Sequence, residues 1–168
     1  RTLNLDEVNK LGEGVKAIAL PDERWDKVDI KTTNLIPNIL AQTKAEKKFA
    51  YTAMLFRDGI CTEGATSNVF AVKDGILYTH PADNHILKGI TRQMIVTRVA
   101  PSLGITLIEK EFDRAFVDDA DELFFTDTIG GVIPIIKLDK NPVSGGKPGH
   151  VTLRLREALE KLMEEGLP

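Results

Sequence analysis

The sequence contains a single cysteine, Cys61, which excludes an internal disulfide framework and a cysteine-built zinc site. It has no apolar run long enough to span a bilayer and no signal-peptide pattern at its start. No charge of either sign dominates: 22 Lys and Arg stand against 25 Asp and Glu, a formal net charge of −3. Without a basic stripe, nucleic acid is not an expected partner, and nothing marks a membrane partner either. A G-x-S-x-G elbow, a Walker loop and a G-x-G-x-x-G fingerprint are all missing. The three histidines, His80, His85 and His150, lack metal-ligand spacing and read as loop residues, so no metal is expected.

What is present is an ordinary globular chain. Its 168 residues, 42% hydrophobic and 28% charged, fit one domain with a sizeable core. A reducing cytoplasm is the simplest compartment for one lone thiol. The first residue is Arg1 rather than methionine, which leads to the expectation that the chain is a piece of something longer. Residues 1–14 are polar, end in Gly12-Glu13-Gly14, and read as a linker or domain-boundary arm before a domain over 15–168.

The periodicities set out the rest. Residues 15–20 predict a strand stopped by Pro21. Residues 25–31, WDKVDIK, alternate apolar and polar and deliver Lys31 to a strand-to-helix junction. Thr32-Thr33-Asn34 offers cap chemistry for a helix to about Phe49, with Leu35, Ile36, Ile39, Leu40 and Thr43 in helical spacing and Pro37 in the first turn. Asp58-Gly59 and Asp74-Gly75 are hairpin dipeptides between strand-like runs; in succession they predict an antiparallel meander. A helix over 89–102, carrying Met94, Ile95, Arg98 and Val99 on its period, stops at Gly104. Then come a strand over 105–112, a short helix in FDRAFVDDA, and strands over 122–126 and 132–138 around Gly130-Gly131, which allows close backbone approach. A last amphipathic helix over 151–165 places Leu155, Leu159, Leu162 and Met163 on one face. The fold class is α+β: a curled, mainly antiparallel sheet with flanking helices.

Three stretches carry chemistry. Lys31, among apolar Val28, Ile30 and Leu35, is a Schiff-base candidate, since desolvation lowers an amine's pKa and exposes its lone pair. Alone it reads as a surface lysine. Glu63, before Gly64 and after Ile60 and Cys61, is an acid able to keep a heterocycle nitrogen protonated, as an electron-sink cofactor needs. Alone it reads as a turn carboxylate in water. Gly89-Ile90-Thr91 opens a helix, whose free N–H groups suit a phosphate, and Thr126 or Thr128 adds a second hydroxyl. Asp127, between them, repels a phosphate unless it points away.

Together DIKTTNLIPNILA, TEGATSNVFAVKDGILYTHPADNHILKGITR and DELFFTDTIGGVIPI resemble, in order and spacing, the pyridoxal-phosphate enzymes of fold type IV. These comprise D-amino acid and branched-chain aminotransferases and aminodeoxychorismate lyases. The resemblance covers nearly the whole chain. It implies pyridoxal 5'-phosphate as cofactor, an amino acid and a 2-oxo acid as substrates, and a homodimer in the complete enzyme. It matches Lys31 to the Schiff-base lysine, Glu63 to the acid on the pyridine nitrogen, and Leu87 to the side chain against the ring. Gly89, Ile90 and Thr91 match the phosphate-binding helix start, and Thr128 matches the second phosphate loop. Leu35 stands where branched-chain enzymes carry a tyrosine, which tilts the reading towards the D-amino acid group. Asp127 departs from the small residue usual there. The family also has an N-terminal domain, bearing a phosphate-binding arginine and the substrate-carboxylate clamp, so the chain is read as its larger C-terminal domain, with an exposed apolar face and poor activity alone. Lyase-type elimination and a non-catalytic cofactor-binding domain are the rival readings. Glu63→Ala is expected to impair the electron sink while leaving folding largely intact.

Overall fold

A computed structural model describes residues 5–166. Helix α1 (Leu5–Lys10) and a 3-10 turn (Leu11–Glu13) lead into strand β1 (Val15–Pro21); Leu11 packs on the core. After a long loop, α2 (Ile36–Glu46) carries Pro37 in its first turn, where a missing N–H costs nothing. Two hairpins follow: β2 (Thr52–Arg57) with β3 (Ile60–Gly64), and β4 (Asn68–Lys73) with β5 (Ile76–Thr79). Both turn pairs, Asp58-Gly59 and Asp74-Gly75, have positive φ at each residue, the backbone that a two-residue hairpin requires and that Asp and Gly tolerate.

The next helix is continuous but not uniform. Residues 90–94 form α3 (Ile90–Met94), residues 95–99 form one π-helical stretch, and α4 (Ala100–Ser102) completes it. Gly104 follows with φ +65°, as a left-handed stop requires. Then come β6 (Leu107–Glu109), α5 (Arg114–Asp118), β7 (Glu122–Asp127), β8 (Gly131–Leu138), β9 (Asn141–Pro142) and α6 (His150–Glu164). The Glu122 carboxylate accepts the Val151 and Thr152 N–H groups at 3.0 and 2.8 Å, binding the start of α6 to the sheet by its free amides.

The sheet runs β3-β2-β1-β8-β7-β4-β5-β6, with β9 on β8. It is mixed: β1 pairs in parallel with both β2 and β8, and β5 with β6, while the other pairs are antiparallel. The two hairpins therefore do not form one meander, because β1, β8 and β7 lie between them in the order. Yet β3 and β4 are joined only through residues 65–67 and touch. An edge strand can meet a distant strand in this way only if the sheet curls, and the result is a half-barrel.

Both faces of β4 and β7 are covered, which explains their unbroken apolar runs. Val69, Ala71, Leu123 and Phe125 face the inside of the curl with Met54 and Ile135. Phe70 and Phe124 face the helices with Ile95, Val99, Leu155 and Leu159. Phe70 and Phe124 are cross-strand partners with rings stacked 4.9 Å apart. Burying each such side chain is worth about 1.5–3 kcal/mol.

Several local expectations change. Residues 25–31 form turns, not a strand, so Lys31 lies within the loop between β1 and α2 rather than at a strand-to-helix junction. The strand expected over 105–112 shrinks to three residues, Leu107–Glu109. On α2 the residues facing the sheet are Ala41 and Ala45, small enough for close approach to β1 and β2. Its larger apolar residues, Leu35, Ile36, Ile39 and Leu40, are exposed, Ile36 by 69%. Met163 on α6 is exposed as well.

Candidate active site

The ends of β3, β4 and β7 and the loops after β1, β5 and β7 enclose a cleft of about 330 Å³. Lys31, Glu63, Leu87, Gly89, Ile90, Thr91 and Thr128 all line it. Residues up to 97 positions apart are thus brought to one cavity, at which Lys31 lies on the mouth and Glu63 on the floor.

Glu63 ends the inward side of β3 and is only 4% exposed. Three donors converge on it. Arg24 Nη1 reaches Oε1, while Asn68 Nδ2 and the Leu87 backbone N–H reach Oε2 at 2.8 and 3.0 Å. All three contacts favour the carboxylate; burial favours the neutral acid. Burial prevails and pushes the Glu63 pKa up to about 7, with Arg24 pulling it back. Arg24 is shared: its Nε and Nη2 also bind Asp22 at 2.8 Å each. Burial raises the Asp22 pKa too, but this fork–fork pairing outweighs it and holds Asp22 below the usual carboxylate range. The two acids respond oppositely because burial dominates at Glu63, whereas Asp22 takes two guanidinium donors against the one at Glu63.

A testable consequence follows from the sign of that shift. A folded-state pKa raised from 4.5 to about 7 gives a stability contribution present below pH 4.5 and lost as pH rises through 7. Glu63→Gln is expected to flatten stability against pH across that window, as denaturant melts at a series of pH values would record. An unchanged slope would mean that another group titrates there.

Lys31 is exposed, not desolvated as its apolar neighbours predicted. Val28 is buried, but Ile30 and Leu35 are half exposed and leave the amine in water. Opposite, Gly89 caps the helix that opens at Ile90, with extended backbone. A side chain at Gly89 would strike Asn68 Oδ1, so a glycine is needed for this loop to reach Asn68, whose amide also donates to the Leu87 carbonyl at 2.8 Å. The N–H groups of Ile90 and Thr91 belong to the first helical turn and have no partner within the helix. Ile90 itself is 74% exposed, so its contribution is backbone. Thr91 Oγ1 donates to the Asp127 carbonyl at 2.9 Å, which leaves its lone pairs and places Thr128 on the neighbouring turn.

Asp127 also lines the cleft, but its carboxylate is engaged by its own turn and by Tyr51. Its Oδ1 accepts the Ile129 and Gly130 N–H groups at 2.9 and 2.6 Å, and its Oδ2 the Tyr51 hydroxyl at 3.0 Å. Burial, helped by the Asp127 charge, pushes the Tyr51 hydroxyl well up, so it stays a donor. The carboxylate therefore serves as the turn's internal cap. Gly130 allows that turn to close: a Cβ there would hit the Ile133 side chain.

Sequence reasoning singled out neither Arg24 nor Asn68. The only signal was an arginine directly after Asp22-Glu23, which carries no period. Nor did it find Ser67. Ser67 Oγ and Thr126 Oγ1 line the cleft, are buried, and have no hydrogen-bond partner among the described residues. Buried hydroxyls rarely stay unpaired, so a polar ligand fits this floor.

The amino-transferase class IV family profile matches residues 5–138. The chain belongs to that family. It is 42% identical to a Staphylococcus aureus D-alanine aminotransferase, over 92% of this chain and 54% of that protein. To a D-alanine aminotransferase of Bacillus licheniformis it is 40% identical, over 88% and 52%. Among solved structures, a branched-chain aminotransferase of Thermoproteus uzoniensis with norvaline superposes at TM-score 0.83, with 31% identity over 90% of this chain and 52% of that one. A Brucella abortus aminotransferase bound to the cofactor PLP superposes at 0.78, with 26% identity over 90% and 55%. This class IV chain spans about half the length of the curated relatives it matches. The expected curled α+β fold is the one these neighbours share. Among the described residues, no helix is long and apolar enough to cross a membrane.

Proposed function

We propose that the chain is the cofactor-holding part of a pyridoxal 5'-phosphate-dependent aminotransferase that moves an amino group between an amino acid and a 2-oxo acid. The observation that carries this is the meeting of an amine, a buried carboxylate and a helix-start donor set in one cleft. The residues fit the group: Ser67 and Thr126 offer buried hydroxyls without partners among the described residues. The 42% identity to a D-alanine aminotransferase, and Leu35 in place of a tyrosine, favour D-amino acids as substrates.

When bound, pyridoxal phosphate supplies the electron sink for the bond broken at the substrate's α-carbon. Lys31 Nζ would hold the cofactor aldehyde and, once the substrate amine had displaced it, would move a proton from the substrate α-carbon to the cofactor C4′. Glu63, fixed by Arg24, Asn68 and the Leu87 N–H, accepts from the ring nitrogen. A nearby cationic ring would lower its raised pKa and complete its ionisation. Leu87 would pack against the ring, and the Ile90 and Thr91 N–H groups with the Thr128 hydroxyl would bind the phosphate. The exposed residues of α2 and Ile129 are the apolar face against which the rest of a two-domain, homodimeric enzyme would pack.

Borohydride reduction of the full-length protein with pyridoxal phosphate, followed by peptide mapping, is expected to put the label on Lys31. A label on a different lysine removes the assignment. Turnover of D-alanine that consumes a 2-oxo acid acceptor would mark transamination, whereas the lyase reaction would release pyruvate from an aminodeoxychorismate-type substrate with no acceptor consumed.

A further inference from the structure

Away from the cleft, the loop between β5 and α3 gathers three side chains of metal-ligand type. We infer that His80, Asp83 and His85 form an accessory site for a zinc-class divalent cation. One ligand atom from each lies within 4.8 Å of the other two. His80 Nδ1 is 3.8 Å from Asp83 Oδ1, and His85 Nδ1 is 3.5 Å from Asp83 Oδ2. Ligand atoms about 2 Å from a shared tetrahedral ion stand a little over 3 Å apart, so closure needs only small side-chain rotations. Two imidazoles and one carboxylate are a borderline donor set, suited to zinc, cobalt or nickel rather than to calcium or magnesium.

The site is held open by contacts that have nothing to do with a metal. Arg92 Nη2 donates to the His80 carbonyl at 2.7 Å and Arg24 Nη2 to the His85 carbonyl at 3.3 Å. The Val28 N–H donates to the Asn84 carbonyl at 2.9 Å. Between them these bonds fix the backbone on both sides of Asp83, so little ordering remains for a metal to impose. His80 is 1% exposed, while the side chains of Asp83 and His85 are about one-third exposed. The ion would thus sit at the surface with three protein ligands and positions left for water.

The local charge is compatible. Glu111 lines the adjoining cavity with both histidines, and each nearby cation is paired with an acid: Arg57 with Asp26 at 2.8 Å, Arg92 with Glu109, and Arg24 with Asp22 and Glu63. Without metal, the His80 Nδ1–H points to the Pro81 carbonyl at 2.9 Å, and metal binding displaces that proton. The spacing His80-x-x-Asp83-x-His85 mixes an acid with two histidines, which is why a search for histidine spacing alone passes over it. The site does not depend on the aminotransferase reading.

The test uses chelator-treated full-length protein titrated with Zn²⁺ by calorimetry and with Co²⁺ by visible absorption. One saturable equivalent is expected in the wild type, with an intense cobalt band. Asp83→Asn and His85→Ala, both at exposed positions, are each expected to weaken it by more than about tenfold, while His150→Ala leaves it unchanged. Absence of saturable binding would overturn the inference and leave only a hydrogen-bonded His–Asp staple. Binding that survives either Asp83→Asn or His85→Ala would overturn it too, and would point to metal held at the cofactor or elsewhere.

Discussion

Replacing Lys31 by alanine is expected to abolish covalent cofactor attachment and to cut turnover by at least about 10²–10⁴-fold, the usual worth of a positioned acid–base group, while stability stays within about 0.5 kcal/mol. The two halves of that expectation rest on different observations. Lys31 lines the cleft, so its amine is available to an aldehyde held there. It is also exposed, with no hydrogen bond or ion pair among the described residues, so the fold loses nothing when the chain is shortened. The pair of measurements is thermal or denaturant melting and steady-state turnover of the full-length enzyme. Unchanged turnover would remove Lys31 from the chemistry, and a large loss of stability would show that it packs against something.

Glu63→Ala is expected to behave differently, damaging both fold and function. The sequence alone made it a clean functional probe that spares folding. Its surroundings say otherwise. Removing the carboxylate strands Arg24 Nη1 and leaves the Asn68 amide and the Leu87 N–H without one acceptor each. Breaking a buried ion pair by deleting one member costs about 3–5 kcal/mol, a large share of a typical domain's stability. Because Leu87 and Gly89 hang on the same contacts, loosened cofactor binding should accompany the lower melting point. Equilibrium binding of pyridoxal phosphate, followed by absorbance, reads the second effect independently of turnover. Glu63→Gln keeps the volume but must turn one amide hydrogen towards a donor, so it should fall between alanine and wild type. Wild-type melting of Glu63→Ala would mean that Arg24 finds water or Asp22 sufficient.

Legibility in this chain divides by the range of the forces involved. Both hairpins could be read from Asp58-Gly59 and Asp74-Gly75, because a two-residue turn is decided by the φ its own residues tolerate. The start of the helix at Ile90 and the stop at Gly104 are equally local, whereas α2 begins after Leu35 with no side-chain cap and ends at Glu46, so the Thr32-Thr33-Asn34 cap is not used. Every cleft residue nominated from sequence lines one cavity, since those short motifs sit where strands and helices end. WDKVDIK failed as a strand because alternation alone does not bring a segment to a sheet edge: β1, the strand before it, already pairs with β2 and β8 on its two sides. The stripe on α2 was real as a pattern, but Ala41 and Ala45 pack on the sheet and the larger residues do not.

By itself, then, the sequence determined most of the helices and strands, the turn chemistry, the apolar composition of β4 and β7, and the set of groups an electron-sink cofactor needs, for each depends on near neighbours in the chain. The tertiary structure alone decided the strand order that separates the hairpins and curls the sheet. It alone turned Asp127 into its own turn and towards Tyr51, left Lys31 in water, and buried Glu63 against Arg24, 39 positions away. Those outcomes turn on which distant donors and apolar surfaces converge once the sheet closes, and on how far water is excluded there. Burial and long-range pairing set the charge state of Glu63, and neither is encoded in any short stretch of residues.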